Sequence, residues 1–132
     1  MKPMTNVARC MSSLPSCSQD FDDATKEALH ENCGMYSRVL HIPEGAMLLG
    51  KEHAVWGLNI LASGSILLMN DPYGEYVRID APQVFESGPG SQKLFKALTD
   101  CVFINVMNTE ENETIGDVMK RIIKEPEWQP VG

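Results

Sequence analysis

The segment of this sequence best suited to chemistry is residues 50–64, which holds a histidine close to the start of an apolar run. His53 follows Gly50 and Lys51, and the run ends at Gly64. An imidazole inside a protein can bind a metal ion or donate a hydrogen bond to an anion. The apolar run predicts a buried strand closed by a glycine turn, so His53 is the histidine best placed to point into a core. We prefer the simpler interpretation, in which His53 is hydrogen-bonded to a neighbour.

Cysteine chemistry is the next possibility, and four cysteines are present: Cys10, Cys17, Cys33 and Cys101. None forms a C-x-x-C pair, the spacing typical of zinc and redox sites. The first residues do not form the continuous apolar segment of a secretory signal. We therefore expect a protein that is not secreted, with reduced thiols.

Length and charge limit the function classes. A chain of 132 residues is long enough for one domain with one core. A formal net charge of −7 disfavours nucleic-acid binding, which needs a concentrated positive surface. No apolar run approaches the roughly 18 residues of a membrane span, so we expect no membrane partner.

The segments that must position these side chains have the pattern of β-strands. Short apolar runs alternate with turn residues, at the spacing of an all-β sandwich or barrel. Gly64 predicts a tight reversal, and residues 70–74 predict the strongest turn in the chain. The predicted strands cover residues 36–42, 47–49, 55–61, 65–69, 75–79, 81–85, 93–98 and 101–107.

Two helices and two arms complete the predicted organisation. Residues 18–34 predict a short helix that ends at Gly34, a plausible left-handed cap. Thr114 begins a capping-box pattern, and apolar residues at helical spacing from Ile115 to Ile123 predict a C-terminal helix. The predicted domains are an N-terminal arm (1–17), the short helix (18–34), a β-domain that includes the C-terminal helix (35–125), and a C-terminal arm (126–132).

The order of these segments resembles the cupin superfamily and, more narrowly, the small cupin-like proteins of tailed bacteriophages. The resemblance spans about Tyr36 to Ile123. It depends on residues 38–45, on Gly50 to His53 with Leu58 to Leu61, on Ala81, Pro82 and Phe85, and on Pro89 and Gly90. It implies a mainly β fold, a single double-stranded jelly roll with a short N-terminal helix, a C-terminal helix and extended terminal arms.

The resemblance also implies where metal ligands would lie. Cupins with metal chemistry use two histidines and a carboxylate from a first motif and a histidine from a second. Here Lys51 occupies the first histidine position, His53 keeps the second, Gly57 replaces the carboxylate, and Lys93 occupies the histidine of the second motif. The phage branch uses a different later histidine, where this chain has Met107. With one ligand retained, we predict no metal, no cofactor and no catalytic residue.

The same replacements suggest a different ligand. If Lys51, His53 and Lys93 point into the barrel, they would convert a metal cage into a site for a carboxylate or a phosphate. This hypothesis is an alternative to the hydrogen-bonded core histidine described above.

Two classes of function remain open. The favoured one is a non-enzymatic virion protein, a capsid decoration or cement protein or a tail or neck accessory, whose arms contact neighbouring subunits. The alternative is a cupin-type binding protein or enzyme for a small anion or a nucleotide, such as a host-defence antagonist. Both predict a homo-oligomer located in the virion or in the cytoplasm of an infected host cell.

Overall fold

The computed structural model describes residues 17–18, 25–50, 52–69 and 75–123. Residues 1–16, 19–24, 51, 70–74 and 124–132 lie outside the described residues, and with them Lys51, the segment predicted to form the strongest turn, and the predicted C-terminal arm. The strands are β1 (Cys17–Ser18), β2 (Thr25–His30), β3 (Met35–Ile42), β4 (Met47–Leu49), β5 (Gly57–Ser63), β6 (Ser65–Met69), β7 (Val77–Asp80), β8 (Gln83–Ser87), β9 (Leu94–Ala97) and β10 (Cys101–Asn108). A helix, α1 (Ile115–Ile122), follows the last strand.

The strands form two five-stranded sheets that enclose one core. The first sheet has the order β1-β4-β9-β6-β7, and the second has the order β2-β3-β10-β5-β8. Phe95 from the first sheet packs on Phe103 from the second, with ring centroids 4.9 Å apart. Both belong to a cluster of buried residues that draws on the two sheets: Leu40, Ile42, Leu48, Leu61, Ile66, Leu68, Phe95, Ala97, Cys101 and Phe103. This double-sheet arrangement with a C-terminal helix confirms the predicted jelly-roll fold class.

Alternation along the strands divides the second sheet into two chemically different faces. In β10, Cys101, Phe103, Asn105 and Met107 are buried, whereas the residues between them are only partly buried. Residues directly opposite on antiparallel neighbours point to the same side of a sheet. The side turned away from the core is therefore defined by the register. We call it the outer apolar face, and its members are Val39, Leu58, Ile60, Val84, Ile104 and Val106.

The predicted N-terminal helix is wrong for the part of 18–34 that the structure describes. Residues 25–30 form β2, which pairs with β3 from Thr25 opposite Leu40 to His30 opposite Met35. Pairing with a long neighbouring strand supplies hydrogen bonds along the whole segment, which outweighs the weak helix propensity of a short sequence. Gly34 does have the predicted left-handed backbone, with φ of +64°, but it turns the chain between two strands.

Gly64 is the single residue between β5 and β6 and forms a corner between the sheets, so the chain turns there without pairing the two strands. It joins β5, in the second sheet, to β6, in the first. Its φ is +90°, and a Cβ atom built there would lie 2.4 Å from the carbonyl oxygen of Asp100. Any side chain at this position would therefore collide with backbone. The close approach of the two chain segments requires glycine.

The helix α1 closes one end of the space between the sheets. Thr114 and Asp117 form the predicted capping box, each side chain bonding the other residue's backbone N–H. Arg121 donates two hydrogen bonds to the Glu113 carboxylate and one to the Asn108 carbonyl, which fixes the helix to the end of β10. The pKa of Glu113 falls to about 2 because of this guanidinium. No helix in the described ranges has the length and apolar character needed to cross a bilayer.

Substituting Gly64 tests the corner. Gly64→Ala should lower the free energy of unfolding by about 3 kcal/mol or more, because the left-handed backbone and the clash with Asp100 act together. Gly45→Ala is the matched control, since Gly45 has φ of +82° but no atom within 4 Å of its added Cβ. Gly45→Ala should cost only the backbone term of about 1–2 kcal/mol. Urea unfolding of both variants provides the comparison, and equal losses would contradict the close approach.

Candidate functional site

A cavity of about 50 Å³ lies between the inner face of the second sheet, the β9 side of the first sheet and α1. One water molecule needs roughly 10–15 Å³ of such space, so the cavity has room for a few waters or one small ion. One wall is apolar, and the other carries polar and cationic groups. The lining residues are Tyr36, Arg38, Leu40, Leu48, Gly50, His53, Asn59, Ser91, Lys93, Phe95, Phe103, Asn105, Met107, Met119, Ile122 and Ile123.

The polar wall begins with two buried asparagines on neighbouring strands. Asn105 of β10 lies directly opposite Asn59 of β5, and its Nδ2 donates to Asn59 Oδ1 at 2.6 Å. Asn59 Nδ2 in turn donates to Ser87 Oγ, at the end of β8, at 2.5 Å. Buried amides are costly unless they are hydrogen-bonded, so each residue in this row fixes the orientation of the next.

The row continues to Lys93, which is half-buried beside the start of β9. Its Nζ donates to Ser87 Oγ at 2.5 Å and also to Ser91 Oγ. Within the described parts of the chain, Lys93 forms no ion pair with a carboxylate. Burial lowers the pKa of the Lys93 ammonium, because desolvation disfavours its charged form.

His53 lies next to Lys93 and is held by backbone hydrogen bonds on both sides. Its N–H donates to the Ser91 carbonyl at 2.8 Å, and its carbonyl accepts from Gly90 N–H at 2.8 Å. It also forms an isolated β-bridge with Ile123, at the end of α1. The imidazole Nδ1 is buried and has no hydrogen-bond partner in the described structure. Burial lowers the pKa of His53, and the charges of Lys93 and Arg38 lower it further.

Tyr36 forms the floor of the cavity next to α1 and is fully buried. Its hydroxyl donates to Glu27 Oε1 at 3.0 Å and lies 3.3 Å from Met119 Sδ. Burial raises the pKa of Tyr36, and the Glu27 carboxylate raises it further. The phenol is therefore neutral and is committed to a structural hydrogen bond.

The structure brings together His53 and Lys93 of the three predicted ligand-binding residues, whereas Lys51 lies outside the described residues. The sequence analysis preferred a core histidine hydrogen-bonded to a neighbour. The backbone of His53 makes such bonds to Ser91 and Gly90, whereas its ring Nδ1 has no partner among the described residues. Gly57 and Met107, two further positions that the resemblance implied as ligand sites, are also neighbours. A Cβ built on Gly57 would lie 3.0 Å from Met107 Cγ, so the methionine fills the space that a carboxylate at 57 would need.

The donors in this cavity do not fit a resident divalent metal of the kind that the resemblance implied. Such a metal prefers imidazole, carboxylate or thiolate ligands. In the described parts of the chain no three histidine, cysteine, aspartate or glutamate residues form such a group. His53 is instead accompanied by the ammonium of Lys93, whose charge would repel an approaching cation.

Four residues of the polar wall were missed by the sequence analysis: Asn59, Ser87, Ser91 and Asn105. For Asn59 and Asn105 a signal was present in the alternation of inward-facing and outward-facing residues along their strands. Asn105 shares its period with Cys101, Phe103 and Met107, which places an amide among residues expected to face the core. Neither serine had such a signal, because Ser87 ends an edge strand and Ser91 lies in a glycine-rich loop.

Comparison with solved structures identifies the fold. The chain aligns with KdgF from Halomonas sp. at a TM-score of 0.54 and 15% identity, covering 71% of this chain and 86% of that one. A cupin superfamily protein from Desulfitobacterium hafniense aligns at a TM-score of 0.52 and 6% identity, covering 69% and 83%. An acetylacetone dioxygenase from Acinetobacter johnsonii aligns at 0.51 and 13% identity, covering 64% of this chain. The chain spans 58% of the length of that dioxygenase.

These likenesses assign a cupin fold to the chain, in agreement with the cupin part of the sequence resemblance. At identities of 6–15% they define the fold alone. No family model and no curated protein matches the sequence. The neighbours also include a cupin_2 domain from a transcriptional regulator of Enterobacter cloacae, aligned at a TM-score of 0.51 and 13% identity over 66% of this chain and 96% of that one. The fold therefore serves both enzymes and regulators.

The electrostatic link between His53 and Lys93 can be measured by NMR. His53 should titrate below its ordinary pKa of about 6.5. Lys93→Met should raise the pKa of His53, because it removes a neighbouring positive charge. Lys96→Met is the control, since Lys96 is exposed and does not line the cavity. An unchanged His53 titration in Lys93→Met would contradict the proximity of the two groups.

The same shift predicts a pH dependence of stability. Because the pKa of His53 is lower in the folded protein, the unfolded chain takes up this proton first as the pH falls. The contribution to stability is complete above about pH 6.5, declines below it, and levels off below the folded-state pKa. Urea unfolding at several pH values should show a smaller loss on acidification in His53→Gln than in the wild type. Parallel curves would contradict the shift.

Proposed function

We propose that this protein is a non-enzymatic, cupin-type binding protein for a small anion, a carboxylate or a phosphate, held in the cavity between the sheets. The observation that carries the proposal is the environment of Lys93. Its ammonium is half-buried and held by two serine hydroxyls, without a carboxylate among the described residues. A cation removed from water in this way lacks a counter-charge, which a bound anion would supply.

The neighbouring groups favour the same ligand. His53 also lines the cavity, and its buried Nδ1 has no hydrogen-bond partner in the described residues, so the imidazole keeps a polar atom that no described group uses. Ser91 contributes both a hydroxyl that accepts from Lys93 and a carbonyl that fixes the His53 backbone. An anion between Lys93 and His53 would gain a charge-assisted hydrogen bond and would raise the pKa of the imidazole.

The volume of the cavity selects among anions. Sites for drug-sized ligands occupy roughly 300–1,000 Å³, well above the 50 Å³ of this cavity. Inorganic phosphate or a short carboxylate suits such a space, whereas a nucleotide does not. Of the two ligand classes suggested by the sequence, the geometry therefore favours the small anion.

Titration of the full chain with inorganic phosphate and with acetate, followed by NMR shifts of the His53 imidazole, tests the proposal. We expect saturable binding that is weakened at least about tenfold by Lys93→Ala, the size of one lost charge-assisted hydrogen bond. Lys96→Ala removes the same charge at an exposed position of β9 and should bind like the wild type.

Two outcomes would overturn the proposal: no binding by the folded wild type, or equal affinities of Lys93→Ala and Lys96→Ala. Circular dichroism establishes that each variant folds. Ser91→Ala provides a second test if Lys93→Ala does not fold, because loss of the hydroxyl should misplace the ammonium and weaken binding without changing net charge.

A virion building block remains a second proposal, and it rests on the sequence resemblance to phage proteins. The arms on which that role depends, residues 1–17 and 126–132, fall almost wholly outside the described residues. The described feature that favours an assembling protein is the outer apolar face. Mass spectrometry of purified particles tests the idea: stoichiometric copies of this chain would support it, and absence from the particles would reject it.

A further inference from the structure

The outer apolar face of the second sheet lies on the side opposite to the cavity and has no role in the proposed anion site. Three of the six large hydrophobic residues that are exposed in the described structure lie on this side of the sheet: Met35, Leu58 and Val84. Trp56 is 65% exposed and lies flat over Gly88, where an added Cβ would be 2.9 Å from the ring. Exposed hydrophobic residues concentrated in this way mark an interaction surface.

The register gives this face a continuous apolar centre. Ile104 of β10 lies between Val39 and Ile60, and Ile60 lies opposite Val84. In the adjacent row, Val106 lies opposite Leu58. The helix α1 packs on the other side of the sheet, against Tyr36 and Met107, so it does not cover this centre.

We propose that the outer apolar face binds a second copy of this chain, forming a two-fold symmetric dimer by sheet-to-sheet packing. This inference is independent of the proposed anion site. Charges at the two edges of the face determine the occupant and its orientation. Lys26 extends the central row at β2. Glu86 ends the adjacent row at β8, opposite Leu58, so opposite charges flank an apolar centre. Neither side chain forms an ion pair within the described ranges.

A two-fold axis in the interface, parallel to the strands, satisfies both charges. It places β2 of one protomer over β8 of its partner. Lys26 then lies at the level of Val84 and about 7 Å along the strand from the partner's Glu86, within reach of two long side chains, twice by symmetry. An axis across the strands would instead place β2 over β2 and lysine near lysine. In an isologous dimer both copies use the same surface, so that surface must carry both the positive and the negative group, as this face does. Charge complementarity therefore favours a second copy related by a two-fold axis parallel to the strands.

The available area is sufficient for such a dimer. Five strands about 4.8 Å apart, averaging about seven residues at 3.4 Å each, present roughly 550 Å² per copy. Two copies would bury about 1,100 Å² in total, which reaches the roughly 1,000 Å² that separates specific interfaces from incidental contacts. Sheet faces pack about 10 Å apart, a distance that the valine, isoleucine and leucine side chains of this face can fill.

Sedimentation velocity of the full chain over a wide concentration range tests the dimer. The wild type should approach twice the 14.6 kDa of the chain. Val84→Lys should weaken association at least about tenfold, because it buries an ammonium in an apolar interface. Val77→Lys is the matched control: Val77 is 56% exposed on β7 of the first sheet, against 53% for Val84, and its substitution should leave the dimer intact.

Charge reversal tests the orientation. Lys26→Glu and Glu86→Lys should each weaken the dimer a few-fold, and the double variant should recover wild-type association. Leu58→Gln replaces Val84→Lys if that variant does not fold by circular dichroism. A wild type that stays monomeric, as it would if a segment of its own chain covered the face, overturns the proposal. So does equal behaviour of Val84→Lys and Val77→Lys, or a double variant without recovery.

Discussion

Polar groups placed between two β-sheets need partners, and that requirement organises this protein. Asn105, Asn59, Ser87 and Lys93 form one continuous row of hydrogen bonds from the centre of the second sheet to the beginning of β9. An unpaired amide in this position would cost about 1–3 kcal/mol, so the row fixes side-chain orientation more firmly than apolar packing alone. It also determines where the Lys93 ammonium must lie, and hence which side of the cavity is positive.

The end of the row is the basis of the anion site that we propose. The cavity is lined by an ammonium, hydroxyls and the thioether of Met107. These groups favour a negative over a positive ligand. The helix α1 then limits the size of the ligand, because Met119, Ile122 and Ile123 close the cavity on the side of Tyr36.

The two proposals use opposite faces of the second sheet: the anion site uses the inner face, and the dimer uses the outer apolar face. The inner face carries the polar row and faces a small cavity, whereas the outer apolar face carries exposed side chains such as Leu58 and Val84. Both faces use the same strands, so a dimer through the outer face would stiffen the sheet that positions Asn59 and Asn105. Binding and assembly are thus compatible in one small domain.

The strand pattern of the sequence was enough to predict an all-β sandwich or barrel, because period-two alternation and glycine or proline turns are local features. The jelly roll itself was implied by the resemblance to cupins. Local sequence features also located His53, the capping box at Thr114 and the helix that follows. Three features depended on contacts between distant segments. Residues 25–30 form a strand because they pair with β3. Gly64 can only be glycine because the Asp100 carbonyl lies against it. Lys93 contacts Ser87 and lies near His53 because the fold brings together β8, the start of β9 and the segment before β5. Alternation fixes which side of a strand a residue faces, but only the tertiary structure decides which residue faces it in return.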